Sequence, residues 1–221
     1  MEFFMKAILR SIKPYWLYLI ITKHKTIEVA KNFPKSENWG GIVEMYCSKD
    51  MQSFKQIPEK DRVWMSKYLG RVACQFVCDE VEEFHEWELT PHGKYADSER
   101  ERLENFLTAS CLSVEKLVCY RENLPYYKPL YGWHISDLKI YDKPRELSEF
   151  WAYNEELHKR YDSEEDFCCY NDTNEYGEAL TDCGDAYNNI LNCYRCWEEW
   201  SGWCHHVTRP PQSWCYVEEL K

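Results

Sequence analysis

The segment "KTIEVAK" alternates like a β-strand, yet it carries Lys25, Glu28 and Lys31. That charge set is unusual if the strand only packs. The plain reading of Lys25 and Glu28 is a surface ion pair worth about 0–1 kcal/mol. A second group lies in "YGWHISDLKIYD", where His134 could form an acid–base pair with Asp79 or Asp137 if the fold brings them together. A lone strand histidine is otherwise a satisfied structural group. The third constellation is Cys193-x-x-Cys196, the spacing that lets two thiolates reach one tetrahedral ion. Cys204, His205 and His206 follow, and Cys183 lies upstream. A structural zinc held by Cys193, Cys196, Cys204 and either His206 or Cys183 would order a segment that lacks a core of its own. The alternative is a set of reduced cysteines packed among aromatics.

The elements that must position these groups follow from pattern. "KAILRSI" reads as a strand. "KPYWLYLIITK" reads as a helix, with Pro14 in its first turn and Trp16, Leu17, Ile20 and Ile21 at helical spacing. "KTIEVAK" and "GIVEMYCS" are strands separated by a loop rich in Asn, Pro and Gly. A helical excursion over "SFKQIPEKDRVWMSKYLG" stops at Gly70. "RVACQFVCDEVEEFHEW" reads as one long strand. Residues 98–122 read as helical, with Ser113 and Glu115 opening a second helix. "LYGWHISDLKIYDKP" is a strand that Pro144 ends, placing Trp133, Ile135 and Asp137 on one face. "RPPQSW" is a rigid turn that sets Trp214 against the sheet, near Gln212 and Ser213, and "SWCYV" is the last strand. Strands of mixed length with few helices predict an α+β fold, a small curled sheet or barrel flanked by helices.

Ten tryptophans and seventeen tyrosines in 221 residues exclude a disordered chain and serve cores, interfaces and stacking platforms alike. No run of about 18 apolar residues occurs, which argues against a membrane helix and against a membrane partner. The apolar N-terminus is interrupted by Lys6, Arg10 and Lys13, and reads as a core strand and helix rather than a signal peptide. Twelve cysteines without such a signal favour reduced thiols in a cytoplasm. The net charge of −11 is uneven. Residues 1–35 hold seven basic and two acidic side chains, a balance of +5, whereas residues 146–221 hold five and seventeen, a balance of −12. A basic patch of this kind can bind an anion locally; the plainer reading is a pair of solvated faces. Residues 147–208 are acidic, rich in Cys, Trp and Tyr and poor in alternation. They read as an insertion in a domain made of residues 1–146 and 209–221.

"AILRSIKPYWLYLIITKHKTIEVAK" resembles the opening of the ASCH family, within the PUA-like barrel folds. "GRVACQFVCDEVEEF" is similar to the family's next barrel strand. "YGWHISDLKIYDKPRELSEF" and "RPPQSWCYVEE" resemble the C-terminal half of ASCH-like proteins carried by phages and prophages. Two departures stand out: His24 replaces a small residue, and Ala30 stands where the family has arginine, with Lys31 as a point-charge substitute.

The resemblance implies recognition of RNA or a nucleotide-like small molecule in a cleft between the barrel and the first helix. That cleft would gather Ser11, Lys13, Trp16, Lys25, Thr26, Glu28 and Lys31. Lysines would hold phosphate, Glu28 would accept from an amine or hydroxyl, and Trp16 would stack a base; for Trp16, core packing is the competing role. Two other functions stay open, the first implied by the resemblance and the second by the −12 balance of the C-terminal third. One is an amidohydrolase acting on a modified nucleoside; the family's nucleophilic threonine is Glu28 here, leaving Lys25, Thr26, Glu28 and His134 as catalytic candidates. Alternation would place Thr26 beside Glu28. The other is a phage factor in the host cytoplasm that blocks a host defence protein or sequesters its nucleotide signal, with the acidic insertion as a nucleic-acid mimic.

Overall fold

Lys6–Ile12 forms β1, a strand that buries apolar side chains on both faces and is central to a sheet. Ile8 and Ile12 enter one core cluster, and Ala7 and Leu9 enter another on the opposite side. The structure is a computed structural model that describes residues 6–34, 39–85, 88, 97–122, 124–153, 204–207 and 209–218. β1 is followed by α1 (Pro14–Ile21), β2 (Ile27–Ala30), β3 (Trp39–Cys47), α2 (Met51–Phe54) and α3 (Glu59–Met65). β4 (Val72–Val77), β5 (Val81–Phe84), α4 (Asp97–Ser110), α5 (Val114–Arg121), β6 (Leu130–His134) and β7 (Ser136–Arg145) come next. β8 (Trp151–Tyr153), β9 (Cys204–His206) and β10 (Trp214–Glu218) complete the described elements.

The strands form two sheets, so the α+β class expected from the sequence is observed, but the sheets do not close into a barrel. The larger sheet has the order β7-β4-β3-β1-β10-β8-β9, and the smaller has the order β2-β6-β5. β1 pairs parallel with β3 and antiparallel with β10. Leu17 and Ile20 of α1 cover the Ile8 face of the large sheet with Phe54 of α2 and Met65 of α3. Phe150, Val207 and Val217 pack on the Ala7 face. The small sheet lies between layers. Ala30 and Trp133 join the core beneath the large sheet, while Ile27 and Val29 face Leu103 and Phe106 of α4 and Leu117 of α5. Glu28 shares the parity of Ala30 and so faces the large sheet.

Two strands expected to run unbroken are each divided between the sheets. "RVACQFVCDEVEEF" becomes β4 in the large sheet and β5 in the small one, and "LYGWHISDLKIYDKP" becomes β6 and β7. Alternation is local and carries no information about which sheet a residue joins. At the first crossing, Cys78 N–H donates to Gly41 O at 2.7 Å. Gly41 has φ +78°, and a Cβ there would sit 2.7 Å from Cys78 O, so only glycine fits the crossing. At the second crossing, Ile135 N–H donates to Thr26 O and Asp137 adopts φ 44°, a conformation aspartate tolerates. Ile135 therefore falls between sheets and shares no strand face with Trp133. Pro144 lies inside β7, an outer strand of its sheet, instead of ending it.

Both described ends of the 147–208 segment, β8 and β9, extend the large sheet through pairing with β10 and with each other. Among the described residues, no helix is long and apolar enough to cross a membrane.

Candidate functional site

Arg10 is a charged side chain in phase with Ile8 and Ile12 on β1, and it points at Glu28 of β2. Its Nη2–H and Nε–H donate to Glu28 Oε1 at 2.9 and 3.3 Å, and Nη2–H also reaches Val29 O at 3.1 Å. The guanidinium lies 4.9 Å from the Trp133 ring centroid. Lys25, just ahead of β2, places Nζ 3.4 Å from Glu28 Oε2 and donates to Ser110 O at 2.9 Å. Arg10, Lys25 and Glu28 are 5%, 3% and 7% exposed, so this is a buried triad and not the surface pair that the spacing of Lys25 and Glu28 suggests. Burial pushes the Glu28 carboxyl upward, but the charges of Lys25 and Arg10 outweigh it and hold Glu28 below the usual range. Burial lowers Lys25, and the pull of Glu28 offsets this only in part.

The triad forms one wall of a cavity of about 520 Å³, within the size range of small-molecule sites. Pro14 begins α1, which places Lys13 at its N-cap and Trp16 in its first turn. Ser113 caps α5 by accepting from Lys116 N–H, which sets Lys116 and Tyr120 one turn apart on the facing wall. Lys25 Nζ and Lys116 Nζ stand 5.5 and 5.6 Å from the Trp16 ring centroid, so two ammonium groups lie against one aromatic ring. Two further bonds join that of Lys25 Nζ to Ser110 O in fixing the walls relative to each other: Thr26 N–H to Ala109 O at 2.8 Å, and the Cys111 thiol to His24 O at 3.2 Å.

Five of the seven residues expected to line the cleft do so: Ser11, Lys13, Trp16, Lys25 and Glu28. Ser11 Oγ–H donates to Pro211 O at 2.7 Å, and Lys13 pairs with Asp50 at 3.5 Å. Lys31 lies at the far end of α5, donating to Glu122 O at 3.3 Å and standing 5.1 Å from the Tyr120 ring centroid. Thr26 does not sit beside Glu28. It precedes β2, is exposed and lines a second cavity of about 560 Å³ with Glu82, Arg102 and His134. Strand alternation does not extend to a residue outside the strand. His134 is there too, but its partners are Glu82, at 2.5 Å from Nε2, and Glu80, at 4.0 Å from Nδ1, rather than Asp79 or Asp137. Glu28 departs from the expected role as well: Oε1 already accepts twice from Arg10 and Oε2 faces Lys25, so its main work is to hold two cations in place. Trp214 Nε1–H donates to Asn32 Oδ1 at 3.0 Å and the ring packs on Tyr216, while Gln212 and Ser213 are exposed.

Arg10, Lys116 and Tyr120 are the residues sequence reasoning missed. Arg10 had a signal, an arginine in phase with Ile8 and Ile12 on a strand buried on both faces. Lys116 and Tyr120 stand at i,i+4 spacing, but nothing local says that their helix faces β1. Of the expected zinc ligands, Cys183, Cys193 and Cys196 lie outside the described residues, whereas Cys204 and His206 fall on the backbone of β9. Among the described residues, no group of three or more His, Cys, Asp or Glu side chains is placed to hold a metal.

No protein-family model and no curated protein matches this chain. Among solved structures, it is similar to the crystal structure of ASCH from Zymomonas mobilis, at 11% identity and a TM-score of 0.42, over 64% of this chain and 73% of that one. It is also similar to a crystal structure of a single-residue mutant of that protein, at 10% identity and a TM-score of 0.47, over 97% of this chain and 90% of the other. Both of these neighbours are described as ASCH proteins.

Proposed function

We propose that the cavity between β1, β2, α1 and α5 binds an RNA nucleotide or a nucleotide-like small molecule. The observation that carries this reading is the pair of ammonium groups against the Trp16 ring, exposed Lys116 and buried Lys25, the latter itself part of the Arg10–Glu28–Lys25 triad. Four cations line the cavity against two carboxylates, Glu28 and Glu115, so an anionic ligand is favoured. Trp16 and Tyr120 offer aromatic faces to a base, and the lysines offer point charges to a phosphate. Thr26 lies outside this cavity, which leaves hydrolysis by a Lys25–Thr26–Glu28 arrangement without its hydroxyl there.

Isothermal titration with the four ribonucleoside monophosphates tests the reading. Binding is expected in the wild-type chain and is expected to weaken by about tenfold or more in Trp16→Ala, the scale of one lost base–aromatic stack. Lys116→Ala is expected to weaken binding more at low salt than at high salt. Absence of binding by all four nucleotides, or equal binding in Trp16→Ala, overturns the assignment.

A further inference from the structure

The loop after α5 carries two tyrosines outward on a backbone that is fixed from within. Arg121 is 4% exposed. Its Nη2–H groups donate to Pro125 O at 3.0 Å and Tyr126 O at 2.6 Å, and Nη1–H donates to Lys128 O. Lys128 N–H closes back on Pro125 O at 2.9 Å, and Leu124 N–H donates to Arg121 O at 2.9 Å. A buried guanidinium has five donors in a rigid fork, and here the fork holds three carbonyls of one short surface loop. The rings displayed by this loop, Tyr126 and Tyr127, are 65% and 77% exposed and belong to none of the core clusters. Core packing therefore does not account for a loop held so firmly.

The position of the loop is informative. Tyr120, which lines the cavity, immediately precedes Arg121. Lys31 stands over the Tyr120 ring and donates to Glu122 O. Cavity rim, cation and tyrosine loop thus meet at the C-terminal end of one helix. We infer that this end of α5 is a track for a single-stranded nucleic acid. One nucleotide occupies the cavity, and the bases of its neighbours stack on Tyr126 and Tyr127 while Lys31 meets the connecting phosphates. This rests on the cavity reading above and names its ligand as a strand rather than a free nucleotide. Stacking on aromatic faces tolerates any base, and cations along the path match the phosphodiester charge. Fixing the backbone that carries the rings lowers the ordering cost of binding.

The test uses the full chain and three probes: uridine monophosphate by calorimetry, and fluorescently labelled six-nucleotide oligouridylate and oligothymidylate by anisotropy. Tyr126→Ala/Tyr127→Ala is expected to weaken both oligonucleotides by at least about tenfold and to leave uridine monophosphate unchanged. Tyr126→Phe/Tyr127→Phe is expected to retain oligonucleotide affinity, because the rings remain. Preference for oligouridylate over oligothymidylate would assign the strand as RNA, and equal binding would assign it as either; both outcomes support the track. Oligonucleotide binding that is indifferent to loss of the two rings overturns the track and leaves the cavity reading standing. So does a wild-type chain that binds uridine monophosphate but no oligonucleotide. A wild-type chain that binds none of the three overturns both.

Discussion

Replacing Glu28 by glutamine removes one negative charge from between two buried cations while changing little in shape. The wild-type carboxylate lies 2.9 Å from Arg10 Nη2 and 3.4 Å from Lys25 Nζ, and all three residues are under a tenth exposed. At such separations each attraction amounts to about 5–6 kcal/mol with an effective dielectric of about 20. Desolvation of the ions offsets much of that, but it offsets nothing once the carboxylate is gone, because the two cations stay buried. Removing one partner of a buried ion pair costs about 3–5 kcal/mol. For a chain of this size that corresponds to a fall in Tm of about 6–20 °C. The assay is thermal unfolding near pH 7, followed by circular dichroism and tryptophan fluorescence. Arg10→Met added to Glu28→Gln is expected to recover part of the loss, since it removes one of the unmatched charges. The pH dependence has a definite sign. Glu28 is held below its ordinary value of 4.5, so its contribution is fully present above that pH and is lost as pH falls through the lower folded value. The gap between wild type and Glu28→Gln should therefore be full near neutrality and shrink on acidification. A variant within about 2 °C of wild type near pH 7, below the shift of even one kcal/mol, refutes the triad as a structural keystone.

Four further expectations concern other parts of the molecule. Burial pushes the Cys47 and Cys78 thiols up to about 12, so at mildly alkaline pH iodoacetamide should modify exposed Cys119 far sooner than either; comparable rates would contradict the packing. The same raised values mean that stability is retained below the ordinary thiol value of 9.0 and declines as pH rises from there towards 12. A Cβ at Gly132 would lie 2.5 Å from the Phe106 ring and 3.0 Å from Ile27, so Gly132→Ala should destabilise by about 1–3 kcal/mol in urea unfolding. If the cysteine-rich segment holds a structural zinc, native mass spectrometry in chelator-free buffer will find one zinc per chain, absent from Cys193→Ser/Cys196→Ser; a metal-free wild-type mass removes the proposal.

The parts of this fold that could be read from sequence are those decided within a few residues. Pro14 sets the start of α1, Gly70 stops the helical excursion, Ser113 opens α5, and the alternation in "KAILRSI" and "GIVEMYCS" marks β1 and β3. The misread parts depend on partners remote in sequence. The crossings at Cys78 and Ile135 are set by Gly41 and Thr26, which accept the hydrogen bonds that turn the chain from one sheet to the other. The site divides in the same way. Lys25 and Glu28 are visible as a charged pair in a strand, but their burial follows from Arg10, 18 positions upstream of Glu28, and from a helix turn at Ser110. Thr26 was misplaced because a period of two was extended one residue beyond the strand that obeys it.

The order of the large sheet bears on how the chain is made. β1 is the first described strand, and its two neighbours are β3 and β10, with Ile8 opposite Tyr216. During synthesis, the edge of β1 that β10 will cover stays open until Trp214–Glu218 have left the ribosome. Pairing across such a span is slow to close, and an open edge of apolar backbone can recruit other strands. The sheet therefore completes only once β10 has been made. Until then the nascent chain should lean on chaperones, and the fold should be most easily lost to aggregation when β10 is late or missing.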